Sequence, residues 1–142
     1  MKTMFLVAMI AAPAQSAAGK NVLDVVVVGG PFAGTYHRVD VICMHAQRQR
    51  VFSAAYKDFN PTGARSFLEG GVEVRDPDVA GAKRATVSLS FGDPANPTTL
   101  QISHEPVSFA MQPGGASIAF EGKTDSGVRI KLTAACYDVT TV

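Results

Sequence analysis

The stretch Ala85-Thr86-Val87-Ser88-Leu89-Ser90-Phe91 decides the fold class. Apolar residues occupy every second position of this stretch, and hydroxyl side chains lie between them. A period of two is typical of a β-strand that buries one face and exposes the other. The next residues, Gly92 to Pro97, are rich in Gly, Pro and Asn and favour a turn. The stretch therefore predicts a half-buried strand that ends in a tight connection.

The same alternation recurs along most of the chain. It is found at Thr35 to Met44, Leu100 to Ser103, Val107 to Met111, Ile118 to Phe120 and Val128 to Tyr137. Val22 to Val28 is β-branched and is expected to be a strand buried on both faces, while Asn60 to Gly71 is predicted to be mainly loop. Gln47 to Phe59 fits either a strand or a helix. The pattern predicts an all-β domain of about seven to nine strands, packed as a small antiparallel sandwich of the immunoglobulin-like or Greek-key type. A small β-barrel is the alternative packing.

Two cysteines are expected to form a structural disulfide. Alternation places Cys43 on the same strand face as Val41, and Cys136 on the same face as Leu132, so both sulfurs should point into the core. A bond between Cys43 and Cys136 would join an early strand to the last one. The chain contains no Trp, and its cysteine spacing is wider than in an immunoglobulin domain, so no family is identified.

The first 18 residues are typical of a cleaved signal peptide. Lys2 precedes an apolar run from Met4 to Ala12, and Ser16 and Ala18 fit the small-residue pattern of a cleavage site. The run is too short to span a bilayer, and no cysteine follows it to carry a lipid anchor. We therefore expect a single domain over residues 19–142, exported to the bacterial periplasm or secreted, and not spanning the membrane.

Composition argues against several classes of function. The 13 Lys and Arg against 12 Asp and Glu give no basic surplus, which disfavours a nucleic-acid-binding protein. Gly29 to Gly34 has Pro31 where a dinucleotide-binding loop needs glycine. The chain has no motif of a serine hydrolase or a zinc protease. His37 and His45 share a strand face but are eight residues apart, about 26 Å along an extended strand, so they should not converge on a metal. We predict no cofactor, no metal site and no enzymatic activity.

The favoured function is protein recognition in the cell envelope or outside the cell, as an inhibitor or an assembly accessory. Basic and aromatic side chains that could form a patch for such a partner are Arg38, Arg48, Arg50, Phe52, Tyr56 and Lys57. The alternative function is a carrier that binds a small apolar ligand in a barrel cavity. The residues that could line this cavity are Val26, Phe91, Phe109, Met111 and Phe120.

Overall fold

Ten β-strands and no helix make up the computed structural model over the ranges that it describes, residues 19–61 and 66–142. The strands are β1 (Val22–Val28), β2 (Gly34–Arg38), β3 (Ile42–Ala46), β4 (Val51–Lys57), β5 (Phe67–Arg75), β6 (Lys83–Asp93), β7 (Asn96–Gln112), β8 (Gly115–Lys123), β9 (Arg129–Cys136) and β10 (Val139–Thr141). Gln47 to Phe59, which the sequence left open, contains the strand β4. The signal peptide predicted over residues 1–18 lies outside the described ranges.

All ten strands belong to one curled sheet, a half-barrel, with the order β10-β3-β4-β5-β6-β7-β8-β9-β1-β2. Neighbouring strands are antiparallel except β10 and β3, which run parallel. β10 begins only two residues after β9 ends. Its pairing with β3 therefore brings the end of β9, which is near one end of the strand order, next to the strand at the other end. The all-β class is confirmed. Of the two packings predicted, the single curled sheet is closer to the small barrel than to two separate sheets.

The two arms of the curled sheet face each other across an aromatic core. Tyr36 of β2 contacts Phe67 of β5 and Phe91 of β6, with ring centroids 6.0 and 5.2 Å apart. Phe32, which follows β1, stacks on Phe91 at 5.1 Å. In this half of the molecule the sheet therefore packs face to face, as it would in a sandwich.

Alternation predicted the buried face of most strands correctly. In β6, Ala85, Val87, Leu89 and Phe91 are all buried, and the hydroxyl residues between them are partly exposed. In β1 only alternate residues are fully buried, so the prediction that both of its faces are buried was wrong. The other face of β1, formed by Val22, Asp24, Val26 and Val28, is partly or fully exposed.

The predicted strand Thr35 to Met44 is two strands in the structure. The backbone breaks at Asp40, which has a φ of 61°. This left-handed conformation is tolerated by Asp better than by most residues, because its short side chain can bond to the nearby backbone. The break lets β2 pair with β1 and lets β3 pair with β10.

The disulfide between Cys43 and Cys136 is present, as predicted, and joins β3 to β9 across 93 residues of sequence. Both cysteines are buried in the core. The bond therefore fastens the two sides of the curled sheet near the point where β10 meets β3. A buried disulfide is compatible with the oxidising periplasm or extracellular space. Over the described ranges, no helix has the length and apolar character needed to cross a membrane.

Candidate functional site

The outer face of strands β3 to β6 carries three parallel rows of side chains, which the strand register aligns across the sheet. The central row is Ile42, Ala55, Gly71 and Ser88. The rows on either side are Met44, Ser53, Glu73 and Thr86, and Lys57, Glu69 and Ser90. Over β4, β5 and β6 the central row carries only Ala, Gly and Ser, so the face is hollow along its middle.

This hollow, which we call the outer groove, has a volume of about 700 Å³. Ala55, Gly71 and Ser88 form its floor. Ile42 and Phe59 lie at its border with 61% and 78% of their surfaces exposed. Exposed apolar side chains that border a concave surface are typical of a binding site.

Two glycines in β5 allow a close approach of the neighbouring strands, and one of them, Gly71, lies in the floor of the outer groove. A Cβ atom at Gly71 would lie 2.0 Å from the carbonyl oxygen of Ala54, and one at Gly70 would lie 2.2 Å from that of Ser88. These distances are far below van der Waals contact, so β5 can approach both neighbouring strands only without side chains at these positions. Gly70 also has a φ of +143°, which L side chains rarely adopt.

We expect Gly71→Ala to lower the free energy of unfolding by about 2 to 4 kcal/mol, because its methyl group must displace the backbone of β4. Gly81→Ala is the control: Gly81 has a φ of +108° and no atom within 4 Å of an added Cβ, so only backbone strain opposes the change. Urea unfolding of both variants measures the difference. Equal losses would contradict the close approach of β4 and β5.

Carboxylates dominate the charge of the outer groove. Asp40, Glu69 and Glu73 line it, with Lys57 as the only basic residue among the described lining residues. The ammonium of Lys57 lies 3.5 Å from a carboxylate oxygen of Glu69, and both side chains are more than half exposed, so this ion pair adds little stability. The structure gives Asp40 and Glu73 no ion-pair partner within the described ranges. The groove therefore presents negative charge beside apolar surface.

The predicted basic and aromatic patch does not form one surface. Phe52 is completely buried and cannot contact a partner. Arg48 and Arg50 lie at the turn between β3 and β4, where Arg50 pairs with Asp76 at 3.3 Å. Lys57 is at the other end of β4, about 23 Å away from Arg50 along an extended strand. The patch was predicted because these residues are close in sequence. The seven-residue strand β4 separates Arg48 and Arg50 from Lys57 in space.

Arg38 and Tyr56 do come together, at the open end of the aromatic core. The guanidinium of Arg38 lies 5.4 Å from the ring centroid of Tyr56 and 5.6 Å from that of Phe67. Cation–π contacts of this kind stabilise a partly buried arginine. Arg38 therefore covers the end of the core and contributes to stability there.

Two of the three histidines pair with carboxylates, in separate places. Nε2 of His45, a residue that is only 8% exposed, lies 3.0 Å from Asp78 and ties β3 to the loop before β6. Nδ1 of His37 lies 2.5 Å from Asp24 on the exposed face of the β1–β2 hairpin. Over residues 19–61 and 66–142, no three His, Cys, Asp or Glu side chains are close enough to hold a metal.

The five residues proposed for a carrier cavity occupy different environments. Phe91 and Phe120 are buried in the packed core, and Phe109 packs against it, with its ring 5.2 Å from that of Phe52. Val26 lies on the face opposite Val25 and Val27, and Met111 is 39% exposed. The residues do not surround a common space.

Comparisons with family models, with curated proteins and with solved structures found no match to this chain.

Proposed function

We propose that this protein is an exported, non-enzymatic recognition module that binds an extended segment of another envelope or extracellular protein in its outer groove. The observation that carries the proposal is the groove itself: a hollow of about 700 Å³ with a floor of small side chains, exposed apolar residues at its border and an excess of carboxylates. Such scaffolds commonly carry their function on a surface that the rest of the fold holds rigid.

The dimensions of the outer groove suit a polypeptide that crosses the strands. Residues two apart on a strand are about 6.7 Å apart, so the two flanking rows are separated by about 13 Å. Adjacent strands are about 4.8 Å apart, so the groove extends for about 14 Å from β3 to β6, or about four residues of an extended chain. An extended segment fits a channel of this length and width.

The charges and the apolar border indicate the composition of the partner segment. Glu73 and Asp40 favour Lys or Arg side chains, because a charge-assisted hydrogen bond to a carboxylate is stronger than a neutral one. Ile42 and Phe59 favour apolar side chains, whose burial removes exposed hydrocarbon from water. We therefore expect a segment in which basic and apolar residues are mixed.

A blocking variant tests the site. Ser88 lies at the centre of the floor, between Gly71 and Gln101 in the register, with its side chain outward. Ser88→Trp should fill the groove without disturbing the core and should reduce capture of the partner from envelope extract by about tenfold. Ser117→Trp is the matched control, because Ser117 is exposed on β8, outside the groove.

Two further observations separate specific from adventitious capture. The double variant Glu69→Gln/Glu73→Gln should capture less of the same protein, and added salt should weaken capture by the native protein more than by this variant. Binding in the outer groove would be contradicted if Ser88→Trp and Ser117→Trp capture the partner equally well and if salt does not change the amount captured.

A further inference from the structure

Part of the longest strand, β7, has an unpaired edge. β7 pairs with β6 along its first part, but β8 joins its other side only from Val107 onward. Residues 98–103 therefore have a neighbouring strand on one side only, within the described ranges. We call this segment, Thr98 to Ser103, the β7 edge.

The backbone groups that point away from β6 can be identified from the register. Pro97 is paired with Gly92, and the amide of Gly92 donates to the carbonyl of Ser66 on the β5 side at 3.0 Å, so this pair exchanges no hydrogen bonds. Hydrogen-bonded and non-hydrogen-bonded pairs alternate in an antiparallel ladder. Thr99 and Gln101 therefore direct their backbone N–H and C=O groups outward from the β7 edge.

The β7 edge lacks the usual protection against pairing. Free edges are commonly blocked by charged side chains, prolines or bulges. Here Pro97 limits the edge at one end, and at the other end His104, with a φ of 58°, lies in a register shift between β6 and β7. Between these two limits none of the six residues is charged.

We propose that the β7 edge pairs with the β7 edge of a second copy of this chain, in antiparallel orientation across a twofold axis. A twofold interface brings the same surface together, so any charge on it would face its own copy. The uncharged edge avoids this repulsion, and the chain as a whole is close to neutral, with a formal charge of +1. With Gln101 on the axis, Thr99 of each copy lies opposite Ser103 of the other.

The side chains of Thr99, Gln101 and Ser103 are compatible with the pairing of two β7 edges. The amide of Gln101 donates to the hydroxyl of Ser103 at 3.3 Å, and the hydroxyls of Thr99 and Ser90 are 3.0 Å apart. Because side chains project from the faces of a sheet and not along its plane, they leave the edge open to a neighbouring strand. Because only six residues per copy take part, we expect a weak dimer with a dissociation constant of about 10 to 100 µM.

Sedimentation velocity of the purified protein from about 5 to 500 µM tests the dimer. We expect a monomer–dimer equilibrium that Gln101→Pro weakens at least tenfold, since proline removes an outward N–H while leaving the ladder to β6 intact. Gln101→Ala, which keeps this N–H, is the matched control and should retain the dimer. Circular dichroism of both variants checks that the fold is unchanged.

A charge variant gives a second, independent readout. Gln101→Lys places two ammonium groups near each other on the axis, so its dimer should be weakened at low salt and largely restored at high salt. Thr133→Lys, exposed on β9 in the interior of the sheet, should show neither effect. A protein that is monomeric at every concentration, or a dimer that Gln101→Pro leaves unchanged, would overturn the proposal.

Discussion

Leu89→Asp is expected to unfold the protein, whereas Ser88→Asp on the same strand is expected to leave it folded. Leu89 is completely buried among the core residues of β6, where a carboxylate would have neither solvent nor a partner. The loss should exceed about 4 kcal/mol, a large part of the stability of an ordinary domain. Ser88 faces the outer groove, so Ser88→Asp should cost less than about 1 kcal/mol even beside Glu69 and Glu73.

Thermal unfolding followed by circular dichroism measures both variants. Leu89→Asp should show no cooperative transition, and Ser88→Asp should unfold within a few degrees of the native protein. Similar melting curves for the two variants would mean that the faces of β6 are assigned the wrong way round.

Removal of the disulfide should have the second largest effect. Cys43→Ala/Cys136→Ala opens a link between residues 93 apart in sequence, which in the loop-entropy model lowers stability by roughly 4 to 5 kcal/mol. For a domain of this size, the melting temperature should fall by about 15 to 25 °C. The physical reason is that the unfolded chain regains the freedom that the covalent link had removed.

The reductant dependence provides the control for this prediction. Reduction should lower the melting temperature of the native protein toward that of the double variant, and it should not change the double variant. A double variant that melts within about 5 °C of the oxidised native protein would show that hydrogen bonding between β3 and β10 already closes the sheet without the covalent link.

Local alternation was sufficient to predict the strands that carry the core. In β6 and β9 an unbroken period of two defines the buried face, and the same parity placed Cys43 and Cys136 in the interior. These predictions depend only on the two-residue repeat of a strand, which each stretch of sequence carries by itself. They therefore required no knowledge of which strands are neighbours.

The break at Asp40 could not be predicted from the same signal. Val39, Asp40 and Val41 continue the alternation and contain neither Gly nor Pro, so the sequence offers no ordinary mark of a strand end. The left-handed turn forms because β2 and β3 pair with different strands, β1 and β10. That requirement comes from the tertiary structure and not from the local sequence.

The outer groove was missed for a related reason. The sequence predicts a loop over Asn60 to Gly71, and this range includes both Gly70 and Gly71. In the structure they lie within β5, where carbonyl oxygens of β4 and β6 approach too closely for any side chain. Glycine within a strand is also a sign of close backbone approach, but only the strand order shows which strands approach.

The most direct test of the outer groove as the binding site is photo-crosslinking from its border. With a benzophenone amino acid in place of the exposed Phe59, we expect one dominant crosslinked protein in envelope extract, joined through a segment in which Lys or Arg is mixed with apolar residues. The same probe in place of Ser117 should give little of this product. Equal crosslinking from both positions, or capture of a partner with no crosslink from position 59, would contradict the account.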